Sequence, residues 1–230
     1  MKQWTLLIRD KWGTKMDEKL ANNLTIDHVS HSIGGLGGHA FRRITHISMF
    51  IIPLLYYQSG NEIAAYFNIN PQQFVSLVCI TILLIEAIRL KSGLVIIGQR
   101  EYESNQISAL AWGALSVSLV FLIVPEQNYD GLKSGMYGIP LIFGLTFVDP
   151  LMGEIKRQKK DIKMAIMVGL FCSYSIWLGC SLWIDTPLII SILLAPLTVL
   201  GEIPQVKYID DNATMILFPL AALMILLPFV

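Results

Sequence analysis

Four groups of polar residues interrupt an otherwise apolar chain, and each has residue types suited to phosphate or metal chemistry. The first is Arg42-Arg43-Ile44-Thr45-His46, with Gly34, Gly35, Gly37 and Gly38 just upstream. Arg42 and His46 are four apart and share a helix face. Guanidinium groups beside glycine-rich backbone can hold phosphate oxygens, and the same group equally suits a basic anchor at a membrane edge. The second group is Glu86 and Arg89, three apart and placed to form an ion pair. The third runs Asp149-Pro150-Leu151-Met152-Gly153-Glu154 and continues through Lys156, Arg157, Lys159 and Lys160. An Asp before a Pro predicts a helix start, with free amides facing an anion. Asp149 and Glu154 suit a hard cation such as Mg²⁺, and the basic residues beside them suit a triphosphate. A basic loop also sets membrane orientation, but orientation requires no carboxylate at the end of an apolar run. The fourth group holds Glu202, Asp210, Asp211 and Asn212, with Lys207 among them. Asp211 fits a cation site or a general base, and Asn212 fits a cap on the last helix.

The elements that must carry these groups are membrane helices. Of 230 residues, 54% are hydrophobic and only 15% are charged, with 17 basic and 17 acidic residues. That balance excludes a non-specific nucleic-acid binder and a disordered chain. Apolar runs fall at about 44–58, 74–90, 107–125, 136–152, 164–184, 187–203 and 213–230. Each approaches the roughly 20 residues that a spanning helix needs. The fold class expected is therefore an all-α, polytopic membrane bundle of about seven transmembrane helices. All but one of the 17 Lys and Arg residues then fall on one side, which the positive-inside rule makes cytosolic, N-terminus included. Residues 1–43 form a cytosolic segment, and 44–230 form the membrane-embedded domain. Within the former, Trp4, Ile8, Trp12, Met16 and Leu20 recur every four residues and predict an interfacial amphipathic helix. Cys79, Cys172 and Cys180 lie in apolar runs without metal-ligand spacing and read as packing residues.

In this order, the groups resemble the polytopic CTP-dependent polyprenol kinases, the dolichol and phytol kinases, within a broader group that includes the CDP-diacylglycerol synthases. The resemblance rests on five features. They are the Arg43-Ile44-Thr45-His46 step, the Glu86 and Arg89 pair, the span ending in Asp149 with Gly153 four on, the basic stretch after it, and Asp211-Asn212 before the last helix. It covers roughly residues 42–220; the chain departs from the family in passing directly from Gly153 to Glu154 and the basic cluster. What the resemblance implies is a lipid kinase in an integral membrane, with its site facing the cytosol. It would take CTP or another nucleoside triphosphate and a lipid alcohol, with Mg²⁺ on Asp149, Glu154 and Asp211. Arg43, Arg89, Lys156, Arg157, Lys160 and Asn212 would contact nucleotide or phosphate. Asp149 and Asp211 would be catalytic, with His46 as the reserve base. Two rivals are a cytidylyltransferase making a CDP-lipid and a transporter. The spans carry little interior charge and show no internal repeat, which disfavours the transporter.

Overall fold

The computed structural model describes residues 32–204 and 209–229, and the amphipathic stripe expected over residues 4–20 lies outside them, as does Lys207. Among the described residues the chain is helical, with a single isolated bridge between Ser32 and Arg100 and no named strand. Helix α1 spans Gly35–Ser48, α2 Ile51–Tyr66, α3 Pro71–Ser92 and α4 Ala109–Ile123. Helix α5 runs Gly138–Lys159, α6 Ile162–Trp183, α7 Leu188–Glu202 and α8 Asp211–Leu226.

Among the described residues, four helical stretches are long and apolar enough to cross a membrane: α3, α5, α6, and Asp211–Phe229, which is α8 with a short 3₁₀ extension. Helices α4 and α7 are apolar but shorter. The run expected at 44–58 is divided between two helices that meet at Met49 and Phe50. Pro53 explains the break. It has no N–H to offer the Met49 carbonyl, which accepts instead from Ile52 N at 3.0 Å in a tighter turn.

Helix α5 is the hub. Of its most apolar window 56% is buried inside the protein, against 17% for α3, whose Leu77, Leu84, Ile85 and Ile88 face outward. Ile139, Leu141, Ile142 and Leu145 of α5 pack with Trp177 of α6, Leu194 of α7 and Met215 and Ile216 of α8. A continuous outward apolar surface such as that of α3 suits lipid or another apolar partner, since apolar area left in water costs free energy.

Helix α5 also corrects an expectation. Asp149 does not begin a helix: Val148 and Asp149 both have helical dihedrals, and the chain passes through them without interruption. A π-helical turn at Gly144–Val148 precedes Pro150. Widening the ladder there accommodates a proline that lacks an N–H, so no free set of helix amides is left at Asp149 to face an anion. The Asp149 carboxylate projects instead from the middle of a continuous helix.

Candidate functional site

Three helix segments bring three carboxylates together at one end of the bundle. Asp149 comes from α5, Glu202 from the last residue of α7, and Asp211 from the first residue of α8. One oxygen of each lies within 4.8 Å of the others. The approach of α7 to α8 depends on Gly201. A Cβ there would stand 2.5 Å from the Thr214 carbonyl oxygen, so no larger residue allows the two backbones this close. Thr214 Oγ1 then donates to the Gly201 carbonyl at 2.6 Å, tying the two helix ends together beside Glu202.

Glu202 is 7% exposed, and its Oε1 accepts from Lys156 Nζ at 2.7 Å. Its Oε2 is buried with no hydrogen-bond partner. A buried carboxylate oxygen without a donor is costly, and a divalent cation satisfies it without a proton. Three oxygen donors from carboxylates are the ligand type that Mg²⁺ takes, with its remaining positions left to water or phosphate. The residues therefore fit the ion that the sequence suggests, with one change of membership. Glu154 stands outside the cluster. It pairs with Arg157, with Arg43 at 3.3 Å and with Gln158 at 2.6 Å. Five residues along a helix is a turn of about 140°, so Glu154 cannot share the face of Asp149.

His46 backs the cluster from α1. Its Nδ1 lies 3.3 Å from Asp149 Oδ2, and its Nε2 lies 3.2 Å from the Leu145 carbonyl. Both ring nitrogens face oxygen atoms, so the ring bridges the Leu145 carbonyl and Asp149 and orients the carboxylate. Arg43 is spread over α5 in the same way. It donates to the Pro150 carbonyl, to His39 Nε2 at 3.1 Å and faces Glu154. Burial, and then the Arg43 charge, hold the His39 pKa below its ordinary value, which keeps Nε2 free to accept. Burial, and then the charge of Asp211, push the Asp210 carboxyl well above the usual carboxylate range. Asp210 caps the last helix, its Oδ1 accepting from Asn212 N at 3.1 Å. Asn212, two residues on, is buried, with its Nδ2 on the Ala109 carbonyl at 3.3 Å. Lys160 ends α5 exposed, in a left-handed conformation.

Arg89 has another occupation. Its Nε and one Nη grip Glu86 at 2.8 Å each, and further bonds reach the carbonyls of Leu94, Glu103 and Gln106. All five of its N–H groups are thus used. Glu86 in turn accepts from Ser108 N at 2.6 Å, and Glu103 accepts from Ala109 N at 3.2 Å and from Arg42 at 2.7 Å. The pair pins the connection between α3 and α4 and leaves no donor for a phosphate.

No known protein family, curated protein or solved structure matches the chain. The functional argument therefore rests on the site itself. The residue that sequence reasoning passed over is Glu202, which was visible as one of several acids in a short connection. Its signal was the preceding Gly201, a small residue at the end of an apolar helix.

Alongside the acidic cluster lies a cleft of about 80 Å³, open on one side. Phe41, Thr45 and Met49 of α1 form one wall, and Leu110 and Gly113 of α4 form another. His46 and Asn212 line it too, so the cleft shares residues with the edge of the acidic site.

Proposed function

We propose that the protein is a membrane-embedded lipid kinase, transferring the γ-phosphate of CTP or a related nucleoside triphosphate to an isoprenoid alcohol at the cytosolic face. The observation that carries this reading is the cluster of Asp149, Glu202 and Asp211 with the unpartnered Glu202 oxygen. Seven spans with the N-terminus in the cytosol complete the proposal, supported by the four long apolar helices and by the one-sided distribution of Lys and Arg.

In the reaction, the lipid hydroxyl oxygen attacks the γ-phosphorus, and the bond to the β–γ bridging oxygen breaks. The nucleoside diphosphate leaves, and the hydroxyl proton passes to a carboxylate. Asp211, the most exposed of the three acids, is the acceptor of that proton. Mg²⁺ held by the three carboxylates would neutralise charge on the β- and γ-phosphates. Lys156, already beside Glu202, and Arg43, reaching from α1 over α5, place positive charge where the triphosphate would lie. Arg157 and Lys160 continue that basic surface, and His46 holds Asp149 in register. Positioning and charge neutralisation carry most of phosphoryl transfer, and a membrane site supplies both without a large soluble domain.

The test is purified full-length protein with Mg²⁺, an isoprenoid alcohol and CTP labelled at either the α- or the γ-phosphate. The proposal requires γ-label in the lipid, absent from a folded Asp149→Asn variant. Label from the α-phosphate would mean cytidylyl transfer instead. Full activity of Asp149→Asn would remove the site assignment.

A further inference from the structure

We infer that the cleft between α1 and α4 is the slot for the substrate's hydrocarbon tail, with Asn212 Oδ1 accepting a hydrogen bond from the bound alcohol's hydroxyl before its proton passes to Asp211, and Gly113 lining the slot. This rests on the reading of the acceptor as a lipid alcohol, and it adds where that alcohol lies and what measures it.

The rim is apolar and turned outward. Phe41 is 56% exposed, Ile97 63% and Leu110 52%, and together they border an opening that a lipid can enter sideways. The connection that supplies Ile96 and Ile97 is held rigid. Ile33 N donates to the Gln99 carbonyl at 2.9 Å, Gly98 N donates to the Ile33 carbonyl at 3.1 Å, and Arg89 fixes its two ends. An exposed apolar loop that is also pinned makes a preformed wall, and preformed apolar clefts with few polar groups are the usual form of a small-molecule site.

The inner end is different. Asn212 is 6% exposed, and its Nδ2 is fixed on the Ala109 carbonyl, which determines how the amide points. Its Oδ1 is left buried without a donor. That atom can accept from a hydroxyl, whereas an ether or a hydrocarbon offers it nothing. A ligand that satisfies both ends is therefore a long apolar chain with a terminal alcohol. From Asn212 the next residue back is Asp211, and the neighbouring His46 contacts Asp149, so a hydroxyl held there lies beside the acidic cluster.

Gly113 lines the slot beside Met49 and Asn212. A Cβ at this position would meet Met49 Cε at 3.7 Å and Asn212 Cβ at 4.0 Å, both ordinary contacts. Alanine is thus accommodated, while a phenyl ring there must occupy the space given to the ligand.

The experiment uses full-length protein in detergent without nucleotide and a C15 isoprenoid alcohol carrying a diazirine on its tail. Photolabelling is expected within residues 41–49 and 94–113, suppressed by excess unlabelled alcohol. The corresponding methyl ether should compete roughly five-fold less well, the loss expected for one buried hydrogen bond. Gly113→Phe should lose labelling about ten-fold or more. Leu110→Trp, which narrows the exposed rim, serves as a second blocking variant if Gly113→Phe does not fold. Labelling spread along α3, equal competition by the ether, or unchanged labelling in a folded blocking variant would overturn the inference. Photolabelling of the slot, with no phosphoryl transfer in the separate assay that supplies CTP and Mg²⁺, would sink the kinase reading and leave the slot standing. Transfer in that assay without photolabelling of the slot residues would do the reverse.

Discussion

Replacing Arg89 with Met separates two roles for this residue, a rivet inside the protein and a contact for nucleotide. Arg89 and Glu86 are each 8% exposed, and the guanidinium makes five bonds, two to Glu86 and three to carbonyls of the connection leading to α4. Removing it strands the Glu86 carboxylate with Ser108, through its N–H and its side chain, as the remaining donor residue. Breaking one side of a buried ion pair costs about 3–5 kcal/mol, because the surviving charge stays out of water. For a chain of this size that corresponds to a fall in Tm of roughly 6–20 °C. Arg89→Lys should recover only part of it, since an ammonium cannot reproduce the planar fork. Glu86→Gln combined with Arg89→Met should lose less than the two single variants together, because no charge is then stranded. The assay is thermal unfolding of detergent-purified protein, followed in parallel with activity. A Tm within about 2 °C of the parent, with activity abolished, would refute the rivet and restore Arg89 as a phosphate contact.

Other outcomes follow from the same geometry. Gly201→Ala should destabilise by about 1–3 kcal/mol or more and depress activity, since its Cβ meets backbone of α8, whereas Gly113→Ala should be nearly silent; unfolding midpoints of both check this. Glu202→Gln should leave a folded protein while lowering turnover by roughly 100-fold, measured as initial rate at saturating Mg²⁺. His39 is a base whose folded pKa is depressed below 6.5. The unfolded chain therefore binds the proton first, and the stability that neutral His39 contributes is lost as pH falls through about 6.5. A pH series of Tm should be flatter for His39→Gln than for the parent over that interval, and identical slopes would exclude the effect.

The polar groups and the helices were legible in the sequence because apolar runs and isolated charges are local signals. Asp149, Asp211 and His46 stand out for that reason, and all three meet at one end of the bundle. Which acids meet was not legible. Glu154 lies near Asp149 in sequence but points round the helix toward Arg43 and Arg157, while Glu202 arrives from another helix through the close approach at Gly201. Arg89 looked equally available on a helix end, and its five internal bonds exist only once residues 94–106 fold back over it. The uninterrupted course of α5 past Pro150 required a π turn that no residue pattern announces. The cleft was silent for a simpler reason. Apolar residues lining a slot and apolar residues facing lipid have the same composition.

The central claim is that Asp149, Glu202 and Asp211 form one divalent-cation site. Mn²⁺ binding followed by electron paramagnetic resonance in purified, nucleotide-free protein tests it directly. The account predicts one Mn²⁺ held per chain, displaced by Mg²⁺ and lost in both Asp149→Asn and Glu202→Gln, while Glu154→Gln retains it. Binding that survives Glu202→Gln, or that vanishes with Glu154→Gln in a folded protein, would contradict it.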